Sequence, residues 1–78
     1  MTAIRRRAMI RIELARNALA QGQGPRSTAD LARALGADYG SLRKYLDGRR
    51  RLPPDGPGKV TAAKIAAAMG RPAEWLRE

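Results

Sequence analysis

The sequence predicts an all-α fold. Three observations carry that expectation: apolar residues recur three and four apart over uninterrupted stretches, no stretch alternates with period two, and Gly or Pro punctuation falls where helices should stop. β-branched residues are few, which removes the usual strand formers. The composition leans the other way, since Leu, Ile, Val and Phe together are 13 of 78 residues and the net charge is +9, a balance close to that of disordered chains. Periodicity outweighs it, and about five helices follow.

From Ile4 to Ala20 neither Pro nor Gly intervenes, and Ile4, Ala8, Ile12, Ala15 and Leu19 form one apolar stripe of an amphipathic helix. Met9, Ile10 and Leu14 lie off that stripe; the pattern leaves open which side is buried, and the off-stripe residues are candidates for a subunit contact. Gln21 to Pro25 stops this helix. Ser27 is the N-cap of the second, with Asp30 completing a capping box; Leu31, Ala32 and Leu35 are its apolar face, and Gly36 follows as the left-handed stop. Asp38 caps a third helix with apolar Leu42, Tyr45 and Leu46, ended by Gly48. Residues 48–59 are a basic loop, Val60 to Met69 an Ala-rich helix anchored by Ile65 and Met69, and Pro72 starts a last short helix carrying Trp75 and Leu76. Trp75 and Leu76 are read as closing the core over the first or fourth helix, with a dimer contact as the competing role.

The whole chain, 1–78, is expected to be one small domain. With no Cys and no His, it lacks thiolate and imidazole chemistry, so neither an enzyme nor a metal or other cofactor is expected. The Arg-rich start is not followed by a continuous apolar run, so neither a signal peptide nor a membrane span is expected, and the default location is the cytoplasm. The charge of +9, with 13 of the 16 bases Arg, points to a polyanionic partner, most simply nucleic acid.

The most specific signal is residues 28–47, two short helices joined by a Gly-containing turn. Ala32 is small where the helices approach, Gly36 turns the chain, and Leu31, Leu35, Ala37, Leu42 and Tyr45 fill the angle between them. Such a pair leaves the first turn of its second helix projecting, the geometry that lets a helix enter a major groove.

The stretch LARALGADYGSLRKYLDGRRR resembles the helix-turn-helix of the lambda-repressor-like (Cro/CI, xenobiotic-response-element) family of bacterial and phage regulators. AAKIAAAMGRPAEWL is similar to that family's fourth and fifth helices, so the likeness covers roughly residues 10 to 77. It implies a dimeric DNA-binding regulator, associated with the nucleoid through DNA, with the helix starting near Tyr39 as the reading helix. Pro25-Arg26-Ser27-Thr28 stands where the family usually carries a phosphate-binding Gln, leaving Arg26, Ser27 and Thr28 as the phosphate contacts there. Gly40 occupies a position that often carries a base-reading side chain, and the loop after Gly48 is longer than usual.

From the residues themselves, Tyr39, Ser41, Arg43 and Lys44 are the groove candidates. Arg43 leads because a guanidinium bonds bidentately to guanine O6 and N7; a phosphate is its alternative target, and Lys44 is open to either. Tyr39 suits a thymine methyl, a phosphate or a rim position, while Tyr45 belongs to the core. Arg49, Arg50 and Arg51 follow the reading helix and are expected on phosphates, with a helix-dipole role as the alternative. Arg5, Arg6 and Arg7 are candidates for an arm reaching the minor groove or neighbouring phosphates, or for a solvated face. Residues 1–26 hold six Arg and one acid, and 48–59 four bases and one acid, whereas 27–47 balance three against three. The positive excess thus flanks the reading helix.

Two functions compete. The leading one is a dimeric repressor reading a palindromic operator, because one reading helix spans too few base pairs for selectivity. The other is an antitoxin-like module that binds a toxin through Met9, Ile10 and Leu14 or the Trp75 region, with secondary DNA autorepression. A non-specific architectural or RNA binder is a weaker third.

Overall fold

The computed structural model describes residues 3–20 and 24–76. Within them lie four α-helices, α1 Ala3–Ala20, α2 Thr28–Leu35, α3 Tyr39–Leu46 and α4 Ala62–Ala68, and then a 3-10 turn, Ala73–Leu76. No strand occurs among the described residues, so the all-α expectation holds. The expected fifth helix is that single turn, in which the Trp75 N–H donates to the Pro72 carbonyl at 2.9 Å. Gln21, Gly22 and Gln23, part of the expected stop after α1, lie outside the described residues.

Each helix after α1 begins at a side chain that takes up an orphan backbone donor. Ser27 Oγ accepts from the Asp30 N–H at 3.1 Å, Asp38 Oδ2 from the Ser41 N–H at 3.1 Å, and Thr61 Oγ1 from the Lys64 N–H at 3.1 Å. The capping box at α2 is displaced by one residue. Asp30 Oδ2 reaches the N–H of Arg26, at 3.2 Å, rather than that of Ser27. Gly36 ends α2 with φ +65, the left-handed conformation its missing Cβ permits. α4 starts two residues later than its Ala-rich run, because Val60 is buried as a loop anchor and Thr61 is the cap.

One core joins Ile10 and Leu14 of α1, Leu31 and Ala32 of α2, Leu42 and Leu46 of α3, and Ala62 and Ile65 of α4, with Leu52, Val60 and Met69 from the connections and Leu76 from the 3-10 turn. Met9, Leu35, Ala37, Tyr45 and Trp75 pack around it, partly buried. The core contains the off-stripe Ile10 and Leu14 of α1, which settles the side the sequence left open and corrects their candidacy for a subunit contact. Ile10 and Leu14 are interior and so are not available to a subunit or toxin contact, whereas Met9 is only partly buried. The regular stripe faces outward instead, with Ile4 82%, Ile12 54% and Leu19 86% exposed. At 3.6 residues per turn the two sets lie on opposite sides of α1.

The reason is Glu13, on the same side as Ile10 and Leu14 and buried with them at 8% exposure. An unpaired carboxylate there would be costly. Arg71, beyond α4, answers it with two parallel hydrogen bonds, Nε to Oε2 and Nη2 to Oε1, each 2.9 Å. That bidentate geometry joins α1 to the segment between α4 and the 3-10 turn. No buried side-chain nitrogen or oxygen among the described residues is left without a partner.

The Arg71 hydrogen bonds, against the opposing pull of desolvation and with help from the Arg71 and Arg16 charges, hold Glu13 below the usual carboxylate range. Because the folded value is the lower one, this contribution is present above the unfolded carboxylate pKa and is lost as pH falls through the folded one. Thermal melts of Glu13→Gln are therefore expected to start from a lower Tm at neutral pH and to lose less than the parent on acidification. A parallel pH dependence would dismiss the pair as a stabilising element. Ile10→Ala should cost about 2–5 kcal/mol in urea unfolding. Ile12→Ala, two residues away on the outer side, should cost less than about 1 kcal/mol.

Candidate nucleic-acid interface

The α2–α3 corner is built by backbone bonds around Gly36. Its N–H donates to the Arg33 carbonyl at 3.1 Å and the Ala37 N–H reaches back to Ala32 at 2.9 Å, so the chain leaves α2 in a fixed direction. Two residues later Asp38 caps α3. Leu42 and Leu46 then face the core, and Tyr39, Gly40, Arg43, Lys44 and Asp47 are left on the exposed side, with Ser41 half-buried between.

On that side three residues at spacings of four form a connected row. Arg43 Nη1 donates to the Tyr39 hydroxyl oxygen at 3.0 Å, and Arg43 Nη2 lies 3.6 Å from Asp47 Oδ2. Asp47 Oδ1 is also 3.7 Å from Nη1 of Arg7 in α1. The Tyr39 hydrogen bond first, and then the Asp47 charge, hold the Arg43 guanidinium still more firmly in its cationic form. A guanidinium has five N–H donors, so one bond to Tyr39 and one ion pair restrict its swing while leaving donors for a ligand. Asp47 was not among the sequence candidates. Its spacing of four from Arg43 was a readable signal, but its pairing with Arg7, forty residues away along the chain, was not.

The other candidates divide. Lys44 is exposed beside Arg43. Tyr45 packs on the core as expected, and its outer face is covered by the Arg50 guanidinium 5.7 Å from the ring centroid. The N–H groups of Arg49 and Arg50 both donate to the Lys44 carbonyl, at 2.9 and 3.2 Å, so the Arg49–Arg51 run begins on the end of α3 with its side chains exposed. The rest of the basic loop is tethered. Leu52 and Val60 are buried at its two ends, and the carbonyls of Pro53 and Pro54 accept from the Ala62 and Ala63 N–H groups at 2.9 and 3.0 Å. Lys64 Nζ donates to the Gly58 carbonyl. At the start of α2, Arg26 and Ser27 are exposed and Thr28 is half-buried.

The Arg5, Arg6 and Arg7 cluster is wound into the first turns of α1, which begins at Ala3, and so is helical rather than extended. Arg6 Nε donates to the Leu76 carbonyl at 3.0 Å, tying α1 to the 3-10 turn, while Arg7 is held by Asp47. Arg5 is exposed. Among the described residues no group of three His, Cys, Asp or Glu is placed to hold a metal ion. Nor is any helix among them long and apolar enough to cross a membrane.

The caps position everything exposed here. Asp38→Ala removes the acceptor for the first turn of α3 and should lower stability by about 1 kcal/mol in urea unfolding, with a similar loss for Ser27→Ala at α2. An unchanged midpoint would mean that tertiary packing alone fixes where these helices begin.

Comparison with known proteins gives no match to a family model, to a curated protein or to a solved structure.

Proposed function

We propose that the chain is a sequence-specific binder of double-stranded DNA, of the lambda-repressor-like helix-turn-helix type, without catalytic activity or cofactor. It acts as a dimer that represses by occupying a promoter, its own included, from the cytoplasm or nucleoid. The observation that carries this reading is the row Tyr39–Arg43–Asp47 on the exposed side of α3, with Lys44 beside it and Arg49, Arg50 and Arg51 directly after it. A restrained guanidinium at a projecting helix face suits a guanine edge, and exposed arginines at the helix end suit phosphates. Tyr39 and Ser41 take the remaining groove positions, and Arg26, Ser27 and Thr28 meet phosphate at the start of α2.

Footprinting on the DNA upstream of the chain's own gene should show a protected two-fold site, and protection no different from random duplex would sink the proposal. Arg43→Ala should remove about 1–3 kcal/mol of discrimination at one base pair per half-site. Replacing Arg49, Arg50 and Arg51 by Ala should instead weaken all sequences together and reduce the log–log salt slope by about 0.9 for each phosphate that is no longer neutralised. Asp47→Asn separates positioning from contact. It removes an anchor and a negative charge, so affinity for random duplex should rise while the preference for the operator falls; equal gains on both would leave Asp47 without a positioning role.

A further inference from the structure

The outer side of α1 is an apolar strip with no partner inside the chain. Ile4, Ala8, Ile12, Ala15 and Leu19 are all exposed, and three of the four most exposed large hydrophobic residues among those described lie on it. It runs about 22 Å along the helix, from the rise of 1.5 Å per residue. Large and small side chains alternate, which makes a row of knobs and gaps, the relief that a second helix fills by interdigitation. A lipid surface would need a broader and more apolar face with aromatic anchors, and this strip has none.

Charge selects among helical partners. Arg11 borders the strip on one side and Arg16 on the other, and the only acid in α1, Glu13, is turned inward onto Arg71 with Arg16 3.8 Å from its Oε1. A second copy laid along the strip would bring arginine rims together, and the one α1 carboxylate, Glu13, is already shared between Arg16 and Arg71 of its own chain. A helix rimmed by Asp and Glu would bring complementary charge to both borders. The strip also opens at its middle into a groove of about 290 Å³ between α1 and the 3-10 turn, lined by Met9, Ile12, Glu13, Arg16, Arg71 and Trp75. Its apolar wall of Met9, Ile12 and Trp75 can take one aliphatic anchor side chain, while Arg71 and Arg16 at its edge are engaged by Glu13.

We infer that the outer face of α1, centred on Ile12 and continued by the groove at Trp75, docks an acidic amphipathic helix of another protein. The face lies on the side of α1 opposite Ile10 and Leu14, and it stands or falls independently of DNA binding by α3. An interface of one helix pair is small, so the complex is transient and salt-sensitive.

The probe is a labelled, helix-stabilised peptide of about 18 residues, a length matched to α1. It carries a Leu/Ala seam rimmed by Glu; a twin carries the same seam rimmed by Lys. With the full chain, fluorescence anisotropy should show the Glu peptide binding at least about tenfold more tightly than the Lys twin, with the preference falling as salt rises. Ile12→Gln should weaken Glu-peptide binding by about tenfold or more at an unchanged melting temperature, and Arg11→Glu with Arg16→Glu should reverse the preference. Equal binding of the two peptides, or of neither, would overturn the inference. So would a homodimer that Ile12→Gln converts to monomer in sedimentation, which makes the occupant a second copy, or Ile12-dependent binding to phosphatidylglycerol vesicles without peptide binding, which makes it a lipid surface.

Discussion

The bidentate pair between Glu13 and Arg71 sets the rotation of α1, and much of the molecule follows from that rotation. A helix with apolar residues on two opposite sides can bury either one, and burial energy hardly separates Ile10 and Leu14 from Ile12 and Leu19. A carboxylate separates them. Glu13 lies on the Ile10 side, and a guanidinium waits for it at the end of α4, so that side goes in with its charge matched and its oxygens bonded. With α1 turned this way, Arg6 meets the Leu76 carbonyl and Arg7 meets Asp47, which ties the start of α1 to the 3-10 turn and to the end of α3. Three contacts of different chemistry therefore enforce one orientation. The alternative orientation would bury Ile12 and leave Arg71 facing no carboxylate.

What the sequence made legible was local. The starts of α2 and α3 are marked by a Ser and an Asp whose side chains bind a backbone donor three residues on, and the turn after α2 by a glycine at φ +65, whereas the Thr61 cap that starts α4 goes unread inside the Ala-rich run. These signals act within one turn of helix, so they can be read without knowing the rest of the fold. The face of α1 could not be read this way, because its deciding partner lies 58 residues away and the outer strip is the more regular of the two patterns. The arginine run at residues 5–7 shows the same limit. Its composition leaves an arm and a solvated helix face equally open, and the partners it meets are a carbonyl at residue 76 and a carboxylate at residue 47.

At the candidate site, the sequence supplied the residue types but not their coupling. Arg43 stood out as a guanidinium on a projecting helix, whereas its restraint by Tyr39 and Asp47 is a property of the folded row. Gly40 gains a reason too. A Cβ there would lie 3.1 Å from Asp38 Oδ2, the oxygen that caps α3, so a side chain at this position would crowd the cap that aims the helix. Under the proposed DNA reading, a base-reading side chain at position 40 is exchanged for an intact cap beneath Tyr39 and Arg43.

The two sides of α1 then divide the work of a very small chain. Its inner side is committed to order: Ile10 and Leu14 supply core, and Glu13, Arg6 and Arg7 reach the 3-10 turn, the Arg71 segment and α3. None of that requires the outer side to be apolar, and a helix needing only solubility would carry charged or polar residues at positions 4, 12 and 19. Aliphatic side chains at all three, spaced by alanines, expose surface that costs solubility and adds nothing to the core. Two residues of the same helix, Arg7 and Ile12, thus face in different directions: the first braces the row on α3 through Asp47, and the second lies at the middle of the outer strip. A ligand on that strip would contact the helix that also braces Arg43. That helix is joined to α3 both by the Arg7–Asp47 pair and by the packing of Ile10 and Leu14 in the shared core, while its outer strip makes its contacts without any part of α3.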